Sequence, residues 1–168
     1  VLNAVAEVPD FPKPGVKFKD ITPVLVAPVS LDAAVRSVEH LLVGDDIEAI
    51  AGIEARGFIL GAPLAVAMNR GFVPVRKAGK LPPPVLQASY SLEYGTAQLE
   101  VQPTSVRDGQ RFAVVDDVLA TGGTADAACR LVEEAGGEVV AVVVLIELAG
   151  LGGRDKLAGR TVRSLATL

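Results

Sequence analysis

The sequence is poor in the residues from which many protein chemistries are built. Its 168 residues include one Cys, one His, one Met and no Trp. A lone Cys129 cannot close an internal disulfide, and its place in an apolar helical pattern marks it as a small core residue. One Cys and one His cannot form a zinc-type cluster or a Cys–His nucleophilic pair, and His40 reads as an exposed helix residue. No apolar run reaches the roughly 20 residues of a membrane span, and no signal-peptide pattern opens the chain. The expectation is a cytoplasmic protein with no membrane partner. Positive charge is also short: the net charge is −4 and the pI is near 5.0, which argues against a general nucleic-acid binder. An anionic substrate must therefore be held by local cations and backbone N–H groups. Aromatic residues are scarce, five Phe and two Tyr, although half of the chain is hydrophobic. The core has to be aliphatic, as in a buried parallel sheet flanked by helices.

What is present is regular patterning. Leu31, Ala34, Val35, Val38, Leu41 and Leu42 recur at helical spacing, with Ser30 as the expected N-cap. Strands are predicted at 47–53, 72–75, 90–93, 96–101, 111–115, 138–146 and 161–166. Helices are predicted at 57–68 and 124–135, the latter ending at Gly136-Gly137. Residues 77–88 read as a loop rich in Lys, Gly and Pro. This length suits a single domain spanning 1–168, with no internal repeat or linker. Strands alternating with helices imply an α/β fold, a mostly parallel central sheet with helices on both faces. Ligands of such sheets bind beyond the carboxyl ends of the strands. That points to the loops at 54–58, 76–88, 116–124 and 147–153.

The richest stretch is Val114-Val115-Asp116-Asp117-Val118-Leu119-Ala120-Thr121-Gly122-Gly123-Thr124. It reads as strand, loop and helix. Asp116 and Asp117 at the strand end can accept hydrogen bonds from vicinal hydroxyls. Gly122 and Gly123 let backbone N–H groups approach an anion, and Thr121 and Thr124 add hydroxyls. The helix that follows aims its free amides at the same spot. Diol acceptors beside a phosphate cradle suit a ribose 5-phosphate. This run resembles the phosphoribosyl-diphosphate (PRPP) motif of the type I phosphoribosyltransferases.

Three further segments extend the resemblance to the adenine phosphoribosyltransferase family, over about residues 11–157. Gly52-Ile53-Glu54-Ala55-Arg56-Gly57-Phe58 is similar to the family's diphosphate loop, with Ala55 where a Ser is common. Val75-Arg76-Lys77-Ala78-Gly79-Lys80-Leu81-Pro82, with Ser89-Tyr90-Ser91-Leu92-Glu93-Tyr94-Gly95, is similar to its flexible catalytic loop. The run Pro82-Pro83-Pro84 is richer in proline than usual and should stiffen that loop. Asp10 to Pro23, with Phe18 between Lys17 and Lys19, resembles the adenine-recognition segment, with Lys19 where Arg is common.

The resemblance implies purine salvage: adenine and PRPP give AMP and diphosphate, with Mg²⁺ as cofactor carried by PRPP rather than by direct protein ligands. It implies that Asp116 and Asp117 hold the ribose hydroxyls, and that Ala120, Thr121, Gly122, Gly123 and Thr124 hold the 5-phosphate. Ala55, Arg56, Arg76, Lys77 and Lys80 would face the diphosphate. Val16, Lys17, Phe18, Lys19 and Leu148 would face adenine. Glu93 and Tyr94 would be catalytic, Glu93 by exchanging a proton with the purine ring. Hood segments at about 1–28 and 147–157, a flexible loop at about 77–94 and a homodimer complete the expectation. Two alternatives are a related enzyme acting on xanthine or hypoxanthine, and a PRPP-sensing regulator without catalysis.

Overall fold

The computed structural model describes residues 1–91 and 96–168. The chain opens with β1 (Ala6–Pro9) and β2 (Lys17–Asp20), an antiparallel ribbon separate from the main sheet. Two helices follow, α1 (Thr22–Val26) and α2 (Pro28–Leu41). The expected N-cap at Ser30 is not the start of α2. The helix begins at Pro28 behind Ala27, because proline's fixed φ and missing N–H suit the first helical turn.

The main sheet is built from β3 (Ala49–Ile53), β4 (Gly71–Lys77), β5 (Leu86–Ser91), β6 (Thr96–Val101), β7 (Arg111–Leu119), β8 (Glu138–Glu147) and β9 (Val162–Thr167). Their order is β5-β6-β4-β3-β7-β8-β9. The five strands from β4 to β9 pair in parallel, while β6 runs antiparallel to both β4 and β5. The sheet is thus mostly parallel, as expected from the strand–helix alternation. Two boundaries differ most from the sequence reading. β5 starts at Leu86, inside the segment read as loop, because Leu86 to Ser91 pair residue for residue with β6. β7 continues to Leu119 because β8 is long enough to pair with it as far as Leu119↔Glu147. Asp116 and Asp117 therefore stand within the last residues of a strand, not beyond it.

Side-chain alternation divides the core into two faces. Ala49, Ala51, Ile53, Phe112, Val114, Val142 and Val144 pack with α4 (Gly123–Glu134). Ile50, Ala113, Val115, Ala141, Val143 and Leu145 pack with α2 and α3 (Arg56–Ala67). Cys129 on α4 is fully buried, and burial pushes its thiol up to about 12, the inert core residue expected. His40 is exposed on α2. A short helix, α5 (Gly153–Lys156), lies between β8 and β9. Among the described residues no helix is long and apolar enough to cross a membrane.

Candidate active site

A cavity of about 480 Å³ opens at the carboxyl ends of β3, β4, β7 and β8. Its walls bring together Val16, Lys17, Phe18 and Lys19 from the β1–β2 ribbon, Ala55 and Arg56 from the β3–α3 turn, Lys77, Asp116, Asp117, Ala120, Thr124 and Leu148. Residues scattered over more than 130 positions of sequence thus meet in one space. Thr121 and Gly122 line a smaller adjoining hollow that shares Asp116, Ala120 and Thr124 with the main cavity, and Gly123 lines a third beside Thr121.

The β3–α3 turn is placed by a close approach. A Cβ on Gly57 would lie 2.5 Å from the Val115 carbonyl oxygen, so only glycine lets the start of α3 rest on β7 beside the acids. The Glu54–Ala55 peptide in this turn is cis. Arg56, the first residue of α3, donates its Nε to the Asp117 carboxylate. Its guanidinium carbon also lies 5.8 Å from the centre of the Phe18 ring, a cation–π distance. One side chain therefore links the Asp116–Asp117 pair, the β3–α3 turn and the Phe18 ring. Desolvation opposes the charge on Arg56, but the Asp117 carboxylate outweighs it and raises the guanidinium pKa.

Asp117 is nearly buried, its side chain 4% exposed. Asp116 accepts the Asp117 backbone N–H at 2.9 Å. Burial, reinforced by the neighbouring carboxylate, raises the Asp116 pKa well above the usual range.

Gly122 has φ +80° and is the N-cap of α4. That left-handed turn leaves the first amides of a twelve-residue helix unpaired at the loop.

Phe18 is half-buried, meets Phe11 edge to face at 5.2 Å, and joins neither apolar cluster. It is a wall of the cavity, not a core plug. Lys19 donates to Glu7 at 2.6 Å and Lys17 lies 3.6 Å from the same carboxylate, so both ammonium groups brace the ribbon. Leu148 is held by its N–H on the Leu119 carbonyl and lines the cavity.

Arg76 and Lys80 do not line the cavity. Arg76 donates to Glu54 at 3.1 Å and to the Lys80 carbonyl at 3.0 Å. Sequence reasoning gave no role to Glu54 or Glu100, yet both organise this region. Glu54 accepts the Lys77 N–H as well as Arg76; burial opposes its charge, but these donors prevail and lower its pKa. Glu100, 1% exposed, accepts the N–H groups of Gly79, Lys80 and Leu81 at 3.0, 2.7 and 2.6 Å. These outweigh its desolvation and lower its pKa. Glu54 stands inside the 52–58 motif without a role of its own there, and Glu100 belongs to no motif; a buried Glu on a strand is visible only once β6 is packed. Glu93 and Tyr94 lie outside the described residues.

The site thus sits on a mostly parallel sheet whose strand β7 carries two acids near its end and leads through a glycine turn into α4. Residues 32–163 match the family described as the phosphoribosyl transferase domain. The chain is 56% identical, over 99% of its length and 90% of the relative's, to the adenine phosphoribosyltransferase of Kineococcus radiotolerans. It superposes on the crystal structure of adenine phosphoribosyltransferase from Thermoanaerobacter pseudethanolicus with TM-score 0.97 and 48% identity, covering 100% of this chain and 98% of that one. It also matches the Saccharomyces cerevisiae enzyme complexed with an imino-altritol bisphosphate and adenine, at TM-score 0.93 and 37% identity, over 98% and 96% of the two chains. The chain belongs to the phosphoribosyltransferase family and, within it, to the adenine phosphoribosyltransferases.

Proposed function

We infer that this protein transfers the 5-phosphoribosyl group of PRPP to adenine, releasing AMP and diphosphate. The observation that carries the reading is the meeting, in one cavity, of the Asp116–Asp117 pair, the glycine-turned start of α4, Arg56 and the Phe18 platform. In the reaction the bond from the anomeric carbon to diphosphate breaks and a bond to a purine ring nitrogen forms. Positive charge builds on the ribose ring as diphosphate leaves. Asp116 and Asp117 accept the ribose hydroxyls, the 120–124 loop holds the 5-phosphate, and Ala55, Arg56 and Lys77 face the departing diphosphate. Arg76 and Lys80 support that side through Glu54 and the loop backbone. Phe18 and Leu148 sandwich the base. The ring nitrogen gives up its proton as the new bond forms, and Glu93, oriented by Tyr94, is assigned to receive it.

Mg²⁺ belongs to this reading as the companion of PRPP. Among the described residues no group of three or more acidic, His or Cys side chains could hold a metal. Two adjacent carboxylates, one committed to Arg56, suit an ion that keeps most of its bonds to phosphate and water. Such an ion offsets negative charge on the diphosphate. A cytoplasmic homodimer completes the proposal. α3 carries no charge after Arg56 and leaves Ile59 and Val66 exposed, at 43% and 81%, an apolar face that a second copy would cover. Sedimentation should give twice the chain mass; a monomer at micromolar concentration would remove the dimer.

The test of the activity is incubation with PRPP, Mg²⁺ and each purine base in turn. AMP should form from adenine, with hypoxanthine, guanine and xanthine at least about a hundredfold slower, the order of discrimination a site that hydrogen-bonds its substrate can reach. Equal use of hypoxanthine would replace the base assignment, and PRPP binding without any product would favour a sensor.

A further inference from the structure

α5 and the phosphate loop touch through their backbones. A Cβ on Gly122 would come within 2.6 Å of the Gly153 carbonyl oxygen and 2.9 Å of the Lys156 Cβ, and a Cβ on Gly153 would strike the Ala120 carbonyl oxygen. Lys156 thus starts its side chain directly beside the loop. It lines, with Thr121 and Gly123, a cavity of about 280 Å³. The helix that carries it is clamped. Arg154 donates to both oxygens of the buried Glu147, at 2.8 and 2.6 Å, and to the Val162 carbonyl at 2.9 Å, while the Ser164 hydroxyl donates to Glu147 at 3.1 Å.

The charges around the loop call for a cation. A phosphate monoester carries close to two negative charges at neutral pH. The loop offers it amides and hydroxyls, and Asp116, Asp117 and Asp126 stand nearby. Arg130, the other cation of the smaller cavity, is bound to Asp126 at 3.2 Å and to the Ser89 carbonyl at 3.1 Å. None of the ion pairs found among the described residues uses Lys156. We propose that Lys156 is a further substrate-binding residue, its ammonium meeting the 5-phosphate held by the 120–124 loop, with the Arg154–Glu147 pair as the mount that positions it. The assignment rests on the PRPP reading of the site. Lysine acts here as a compact charge that needs no fixed fork of donors.

The experiment combines steady-state kinetics with calorimetric binding of ribose 5-phosphate and of diphosphate, on the wild type, Lys156→Met and Lys156→Arg. Lys156→Met should raise KM for PRPP and weaken ribose 5-phosphate binding by about tenfold, the order of one charge-assisted contact. Its kcat, its KM for adenine and its diphosphate affinity should stay within about twofold. Lys156→Arg should recover most of the loss. Unchanged ribose 5-phosphate binding in Lys156→Met would overturn the assignment, as would a Lys156→Arg variant as weak as Lys156→Met, which would indicate packing instead of charge. A wild type that forms no AMP but binds ribose 5-phosphate in a Lys156-dependent way would keep this assignment while removing the catalytic reading.

Discussion

Asp116 is the residue at which stability and function pull apart. Its pKa is raised by burial and by Asp117. The folded chain therefore disfavours the ionised carboxylate relative to the unfolded chain, and ionisation costs stability as pH rises through and above the usual aspartate range. Asp116→Asn removes that cost and keeps an oxygen for the Asp117 N–H. Tm at pH 7 should rise, while PRPP binding weakens. Differential scanning calorimetry and PRPP titration of the variant check both; a lower Tm would contradict the electrostatic account. Phe18 makes the opposite case. Since it joins neither apolar cluster, Phe18→Ala should raise KM for adenine about tenfold or more and move Tm by less than about 3 °C. A large loss of stability with unchanged KM would return it to the core. Both residues were legible in the sequence, Asp116 from its place between an apolar run and a glycine pair, Phe18 from its position between two lysines. The commitment of Lys17 and Lys19 to Glu7 was not, because it depends on the pairing of β1 with β2.

At the scale of elements, the segment after β4 is held by Glu100 rather than by its own sequence. Three backbone N–H groups converge on one carboxylate, while the Gln102 amide donates to the Pro82 carbonyl at 2.9 Å. The stiffness expected from the proline run therefore has a second source, in side chains of β6 and the turn after it. Glu100→Gln keeps the shape but loses the charge and one acceptor. It should cost about 1–3 kcal/mol in urea unfolding at pH 7. Because the folded pKa of Glu100 lies below the usual 4.5, its stabilisation is present above that value and is lost as pH falls through the folded pKa. The difference between wild type and Glu100→Gln should shrink as pH falls below that usual value and through the folded pKa; a difference that persists at the acid end would contradict a charge-based role. Periodicity and glycine positions revealed the strands of the main sheet, α3 and α4, since each has a one-faced or two-faced apolar pattern, but not β1, β2 or α1, which are too short and too polar or proline-rich to show one. They misplaced the start of α2 and the start of β5, where a proline and a neighbouring strand decide the boundary, not the local apolar pattern. The short α5 carried no signal at all, yet the Gly122–Gly153 contact makes it part of the phosphate loop's support. Gly153→Ala should therefore impair PRPP use and lower Tm together, which the same kinetics and calorimetry would register.

For the whole molecule, the arrangement is a sheet that delivers four strand ends to one place. The two segments expected to form a hood, about 1–28 and 147–157, both contribute walls to the cavity through Val16 to Lys19, Leu148 and Leu151. With a net charge of −4, binding of a polyanion depends on local groups: Arg56 and Lys77 on one side, the amides of α4 and Lys156 on another. PRPP affinity should accordingly fall with ionic strength. The central claim is that phosphoribosyl transfer occurs in this cavity with Asp117 at its centre. The measurement that tests it most directly is AMP formation from adenine and PRPP by wild type and Asp117→Asn side by side, with Tm recorded for both. The expected result is robust turnover by the wild type and a loss of at least about a hundredfold in kcat/KM for PRPP, the order of one transition-state contact, in a variant that still unfolds cooperatively. A folded Asp117→Asn protein with kcat/KM within twofold of the wild type would contradict it.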